Sequence, residues 1–140
     1  MLFCVSHSRP TFAADARDPL AKMQAVQITR ELLPECWDDA EKLAQSEVTK
    51  KIAGQLYAAV GSILANLGEG YSRSSGRDRA KFFEYALGSV RESMMWYRSS
   101  ERILGHETIT KRLDKLEQVR RLLLATIPRE RDRLIRPSRS

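Results

Sequence analysis

Residues Gln55–Glu92, QLYAAVGSILANLGEGYSRSSGRDRAKFFEYALGSVRE, read as two helices joined by a short basic turn. Small side chains recur at every fourth position of the first helix, at Gly54, Ala58, Ser62, Asn66 and Gly70. Residues four apart share one helix face, so this row predicts a surface that another helix can approach closely. The second helix of the pair also has small side chains, at Ala86, Gly88, Ser89 and Ser93. The pattern predicts that these two helices pack backbone to backbone.

Apolar side chains on both sides of the hairpin recur at helical spacing and predict further helices. Asp18 and Pro19 are suited to begin the first helix, which continues past Pro34, where we expect a kink or two shorter helices. The second helix, with Ser46 as its cap and Thr49 nearby, should run to about Ser72. It has two adjacent apolar stripes, so we expect it to be buried on two sides.

The second half of the chain continues the helical pattern. Ser75 and Asp78 resemble a capping box for a third helix, which should continue unbroken to a left-handed stop at Gly105. A fourth helix should begin near Glu107 and be kinked or ended by Pro128. No alternation typical of strands occurs between these segments.

Four long helices with short connections predict an all-α fold, an antiparallel up-and-down four-helix bundle over residues 18–135. The chain has 140 residues, 42% apolar and 30% charged, which suits one helical domain. No apolar run approaches the roughly 20 residues of a membrane helix, which argues against a membrane protein. Residues 1–17 fit a disordered lead-in, or the product of an upstream start codon, better than a secretory signal, and residues 136–140 fit a frayed tail.

Charge is distributed unevenly along the chain. The formal net charge is +6, with 14 basic and 13 acidic side chains in residues 1–105 against 10 and 5 in residues 106–140. This asymmetry indicates an anionic partner. Cys4 and Cys36 do not have the spacing of metal ligands, and the sequence predicts neither a metal site nor a cofactor. Only two thiols in a chain of this size favour a reducing compartment, the cytoplasm.

The hairpin also carries a long, spaced motif. It consists of SILANLGEG at residues 62–70, a basic side chain at Arg73, an aromatic pair at residues 82–83 and ALGSVRE at residues 86–92. The motif resembles that of the four-helix-bundle proteins named for the intervening sequences of 23S ribosomal RNA. The resemblance implies a left-handed bundle that assembles into a ring, typically a homopentamer. It also implies kinship with the accessory factor of diversity-generating retroelements, a basic ring that binds reverse transcriptase and nucleic acid.

The motif residues to which we assign structural roles are Ser62, Asn66, Glu69, Gly70, Gly88, Ser89 and Glu92. Asn66 is expected to form a hydrogen bond to another helix and fix the register, with a ligand or catalytic role as the alternative. Glu69 and Arg73 have the spacing of a helical ion pair. The match to the family is incomplete, because Tyr57 and Ala58 stand where many members have a basic residue. An ion pair found in relatives is therefore expected to be missing.

Two basic regions are the candidate nucleic-acid-binding surfaces. The first, at the hairpin turn, comprises Arg73, Arg77, Arg79 and Lys81. The second comprises Lys111, Arg112, Lys115, Arg120, Arg121, Arg129, Arg131 and Arg133. We interpret its two lysines as part of an ordinary exposed face that carries both positive and negative charges. In a monomer, the cluster at the hairpin turn is interpreted as the ordinary solvent-exposed end of a helix bundle. In a ring it would repeat around one rim and bind phosphates, without reading base sequence.

Catalysis has little support in the sequence. No catalytic partner for His7 or His106 is evident in the sequence pattern. The Asp38-Asp39 pair is interpreted as solvated, and Tyr97 as a packing residue. The first hypothesis is a non-enzymatic homo-oligomeric ring that binds RNA or DNA, as an accessory to a reverse transcriptase or another nucleic-acid enzyme. The alternative is a protein-only scaffold or adaptor that binds no nucleic acid.

Overall fold

The computed structural model describes residues 17–133 and is all-α over that range, which confirms the predicted fold class. A 3-10 helix at Pro19–Lys22 is followed by α1 (Gln24–Ala44), α2 (Lys50–Tyr71), α3 (Gly76–Ser99), the single-turn α4 (Glu101–Leu104) and α5 (His106–Arg131). The predicted lead-in lies outside the described residues except for Arg17, and the predicted tail at residues 136–140 lies wholly outside them. No helix within residues 17–133 is long and apolar enough to cross a membrane.

The four long helices form a bundle. Both α2 and α5 pack against α1 and against α3, so α1 and α3 lie diagonally across the core. Short connections make successive long helices antiparallel. One side of the bundle is therefore formed by α1 with α2, and the opposite side by α3 with α5.

The core is built from the apolar stripes of these helices. Its largest fully buried side chains are Leu32, Leu43, Leu56, Val60, Ile63, Leu67, Phe83, Val90, Tyr97, Leu116, Val119 and Leu123. Both stripes of α2 contribute, as predicted, with Leu56 and Ile63 from one and Ala53 and Val60 from the other. Full burial of a leucine or isoleucine stabilises a fold by roughly 1.5–3 kcal/mol, so this packing dominates the energetics.

The first helix begins later than predicted, and it is not divided into two at its proline. Asp18 caps the 3-10 helix, where its Oδ1 accepts from the Leu20 amide at 3.0 Å. Met23, with a ψ of 121°, separates that turn from α1. From there α1 runs without interruption through Pro34, and α5 runs through Pro128 to Arg131, so neither proline ends its helix.

The second helix begins three residues later than a cap at Ser46 implies, with Thr49 as its N-cap. It begins at Lys50 rather than after Ser46. The buried Thr49 hydroxyl donates to the Leu43 carbonyl at 2.6 Å, and this bond holds the intervening residues in a turn. A local side-chain bond of this kind competes with helix formation.

The predicted start of the third helix is confirmed, and its end is wrong. Ser75 Oγ accepts from the Asp78 amide at 3.1 Å. The helix stops at Ser99 because Ser100 leaves the helical conformation and its hydroxyl donates back to a carbonyl one turn earlier. The stop at Gly105 has the expected positive φ of 83°, but its ψ of 154° is extended rather than left-handed helical, a conformation open to glycine alone.

The small-residue row of α2 lies mostly outside the core. A Cβ added to Gly54, or to Gly88 of the facing α3, would meet no atom within 4 Å, and Ala58 is exposed. Only Gly70 is tightly packed, since a Cβ there would lie 2.8 Å from the ring of Phe83. The predicted backbone-to-backbone packing of α2 and α3 is therefore wrong over most of the row. The two apolar stripes take the inward side of α2 and leave the small residues other than Gly70 exposed or half-buried on its outer side.

Candidate nucleic-acid interface

The two predicted basic regions meet at one end of the bundle. The start of α3 lies against the end of α5, so closely that a Cβ on Gly76 would sit 2.0 Å from the Glu130 carbonyl oxygen. Arg79 lies 3.8 Å from the carboxylate of Glu130 and Arg131 pairs with Glu84, which ties the hairpin turn to the last turn of α5. We call this surface the basic end. Its predicted members are Arg73, Arg77, Arg79, Lys81, Arg129, Arg131 and Arg133.

Four of these arginines are engaged in contacts within the chain. Arg73 forms the predicted ion pair with Glu69, and its guanidinium lies over the Phe82 ring, 4.6 Å from the centroid. Arg79 donates to the Arg73 carbonyl at 3.0 Å. Arg131 and Arg133 pair with glutamates, the latter at 3.4 Å. Much of their charge is therefore balanced by neighbouring carboxylates.

Arg77, Lys81 and Arg129 remain without a partner among residues 17–133. All three are exposed. Long cationic side chains of this kind are suited to phosphate groups, which they meet by charge and hydrogen bonding at little cost to the fold. They are the members of the basic end best placed to bind an external anion.

Arg120 and Arg121 lie further along α5 and share one carboxylate. Arg120 Nε donates to Glu117 at 2.7 Å and Arg121 Nε donates to the same group at 3.1 Å. The hydrogen bond from Arg120 lowers the pKa of Glu117 to about 2, so this carboxylate stays ionised beside the two arginines. The pair adds one net positive charge to the surface of α5 and does not extend the basic end.

The motif residues make mostly local contacts. Asn66 Nδ2 donates to the Ser62 carbonyl of its own helix at 2.9 Å, so within residues 17–133 its side chain does not form the expected bond to another helix. Ser89 donates to a carbonyl one turn earlier in the same way. Glu92 accepts from the Trp96 indole at 3.2 Å. These residues shape the outer surfaces of α2 and α3 rather than a pocket.

A buried polar network joins α1, α3 and α5, and the sequence analysis missed it. Asp39 is 1% exposed and accepts from the Tyr97 hydroxyl at 2.8 Å and from Arg112 Nε at 2.7 Å. Arg112 also lies 2.9 Å from Glu35, which accepts from Lys115 at 2.6 Å. The expectation that Asp39 is solvated is therefore wrong.

The same network removes two cations from the predicted second basic region. Arg112 and Lys115 project toward α1 rather than into solvent, so Lys115 is not part of the mixed exposed face. Burial opposes the charge of Arg112, but hydrogen bonding and attraction from Asp39 outweigh it and raise the arginine's pKa. Burial also raises the pKa of Tyr97, with Cys36 and Asp39 adding to the effect, so this phenol stays protonated.

We predict that the Cys36 thiol does not react with alkylating reagents in the folded protein. The thiol is fully buried, and burial raises its pKa to about 11, so near pH 8 only about one molecule in a thousand carries a thiolate. In a Cys4→Ser variant, iodoacetamide should leave Cys36 unmodified under native conditions and label it rapidly in guanidinium chloride. Equal labelling rates in the two conditions, read by mass spectrometry, would contradict the placement of this side chain.

Comparison with known proteins identifies one family. A family model described as 23S rRNA-intervening sequence protein matches residues 21–125, which span α1, α2 and α3 and most of α5. No curated protein matches the chain, and no solved structure does. Among the described residues no cluster of three acidic, histidine or cysteine side chains is arranged to hold a metal ion.

Proposed function

This chain belongs to the 23S rRNA-intervening sequence protein family, and from that premise we propose that it is a non-enzymatic, ring-forming homo-oligomer that binds RNA or DNA through the basic end. The observation that carries the proposal is the junction of α3 with α5, which brings cations from two distant segments to one surface. The family is named for a segment inserted in ribosomal RNA, which suits an RNA ligand. A homopentamer would repeat the basic end five times around one rim.

The chemistry of the interior supports a binding role over catalysis. Cys36 and Tyr97, two buried groups that act as nucleophiles or bases in some enzymes, both have raised pKa values. Asp39 is held by hydrogen bonds inside the bundle. The proposal includes an accessory role beside a reverse transcriptase or another nucleic-acid enzyme, and a cytoplasmic location suited to the free thiol of Cys36.

The ion pairs at the basic end favour a second candidate function. Because Arg73, Arg79, Arg131 and Arg133 are already paired with carboxylates, the surface is less positive than the sequence suggests. A protein-only scaffold or adaptor would need no free phosphate-binding groups. The two candidates share the same assembly and differ only in affinity for nucleic acid.

Neutralising the three unpaired cations should distinguish the two candidate functions. We expect Arg77→Gln/Lys81→Gln/Arg129→Gln to weaken binding of a labelled RNA hairpin or DNA duplex about tenfold or more at low salt. The slope of log affinity against log salt should fall by roughly 2–3, since each phosphate contact contributes about one. Fluorescence anisotropy over a salt series measures both quantities.

A matched control lies at the opposite end of the bundle. Lys50, Lys51 and Arg102 are exposed, and none has a partner among the described residues. Replacing these three by glutamine removes the same charge and should leave most of the affinity. Equal losses in the two triple variants would contradict the assignment of the basic end. An assembled wild-type protein with no salt-sensitive binding at micromolar concentration would favour the scaffold.

A further inference from the structure

The side of the bundle formed by α3 and α5 carries an apolar groove. Two adjoining cavities of about 460 and 420 Å³ follow it, with Leu87, Met94 and Ile127 on the floor. Two large apolar side chains stand at its edge, Met95 at 59% exposed and Leu124 at 43%. Exposed apolar surface in a continuous groove is characteristic of a docking site.

The groove is also positively charged. Arg91 and Arg98 stand two helical turns apart on α3, both exposed and both without a partner within residues 17–133. Glu84 lines the first cavity but is paired with Arg131. Arg120 lines the second cavity from α5 and shares its charge with Glu117. An occupant that fits must therefore bring an apolar or aromatic side chain together with carboxylates.

The opposite side of the same molecule presents such a surface. Trp37 of α1 is 52% exposed and stands edge-on against Tyr57 of α2, with 5.3 Å between ring centroids. Its indole nitrogen donates to Glu41 at 2.9 Å, and Asp38 beside it is exposed. We call Trp37, Asp38 and Glu41 the Trp37 ridge.

We propose that the Trp37 ridge of one copy docks in the α3–α5 groove of the next. The proposal rests on the assembly part of the proposed function and specifies its contact. The chemistry of the two surfaces is complementary: the indole meets methionine and arginine side chains, with which it makes sulfur–aromatic and cation–π contacts. The two carboxylates meet the unpaired Arg91 and Arg98. Tryptophan and arginine are also the side chains that most often dominate interface energies.

The placement of the two surfaces sets the type of assembly. Because α1–α2 and α3–α5 form opposite sides of the bundle, the contact is head-to-tail, and each copy uses both surfaces at once. A head-to-tail contact closes into a ring when its rotation permits. A symmetric dimer, in which both copies would use the same patch, does not follow from this arrangement.

Charge reversal on each surface provides the test. Asp38→Arg/Glu41→Arg disables the ridge and leaves the groove intact, while Arg91→Glu/Arg98→Glu disables the groove and leaves the ridge intact. Each variant alone should assemble about a hundredfold more weakly and run as a single chain of 16.0 kDa by light scattering. Mixed in equal amounts, the two should assemble again, because the intact ridge meets the intact groove and the reversed ridge, now basic, meets the reversed groove, now acidic. All four changes in one chain should restore assembly.

Controls separate the outcomes. Lys51→Glu/Arg102→Glu reverses the same number of charges away from both surfaces and should keep the wild-type mass, and circular dichroism should show every variant folded. Unchanged mass in the single-surface variants, or no reassembly on mixing, overturns the ridge-and-groove contact. Nucleic-acid binding by the wild type is measured separately. If the wild type assembles and binds nucleic acid but the charge reversals do not change assembly, only the ridge-and-groove contact is wrong. If the wild type is a single chain at all concentrations, the proposed ring is wrong as well.

Discussion

Replacing Asp39 with alanine should lower the free energy of unfolding by about 3–4 kcal/mol, as expected when one partner of a buried charge pair is removed. The Tyr97 hydroxyl, which is fully buried, would lose its acceptor. Arg112 would keep only Glu35, with its guanidinium still mostly shielded from water. Urea unfolding at neutral pH measures the change, with a loss of roughly 10 °C or more in Tm expected alongside it.

The adjacent residue supplies the control. Asp38 is exposed, so Asp38→Ala should change the stability by less than about 0.5 kcal/mol. All variants are compared at concentrations below the assembly range, because assembly contributes to apparent stability and Asp38 is also part of the proposed Trp37 ridge. Similar effects at the two positions would show that the network around Asp39 is not buried as described.

The contrast between these two aspartates shows where the sequence was informative. Cys36, Asp39 and Leu43 follow one another at three- and four-residue steps on the buried face of α1, whereas Asp38 is rotated away from it. Once Cys36 and Leu43 are known to be buried, helical register places Asp39 inside as well. Its partners could not be found in that way, because Tyr97 and Arg112 come from distant helices whose facing register depends on packing.

The basic end likewise combines a feature that the sequence predicts with contacts that it does not. In an up-and-down bundle, the end of the second helix, the start of the third and the end of the fourth share one end, so the meeting of the two basic regions follows from the predicted topology. The pairing of Arg79 with Glu130 and of Arg131 with Glu84 depends on side-chain geometry across that junction. Charge counted along the chain therefore overestimated the free positive charge at this surface.

The small-residue row was misassigned for a related reason. Its spacing identified one face of α2 correctly, but spacing cannot say whether that face meets the same chain or is left outside. The two apolar stripes compete for the core, and burying Leu56 and Ile63 stabilises the fold more than close approach at Gly54. Hydrophobic burial thus set the orientation of the helix.

Replacing Gly76 with alanine should destabilise the junction of α3 with α5 by about 3 kcal/mol, near the upper end of the range for overpacking. The new methyl group would lie 2.0 Å from the Glu130 carbonyl oxygen and 2.7 Å from that of Arg133. Both atoms belong to the backbone, so no side-chain rotation can relieve the clash. The end of α5 would have to move away from the start of α3, and a favourable approach of opposite helix ends would be lost.

Gly54→Ala is the matched control, since its new methyl group meets no atom within 4 Å and alanine is the better helix former, with an expected gain of about 0.4–1 kcal/mol. The Gly76 variant should also weaken nucleic-acid binding, because moving the last turn of α5 carries Arg129 away from Arg77 and Lys81. Urea unfolding and the anisotropy assay therefore report on the same contact. A Gly76→Ala protein with wild-type stability would show that α3 and α5 do not meet here, and the basic end would then be two separate clusters.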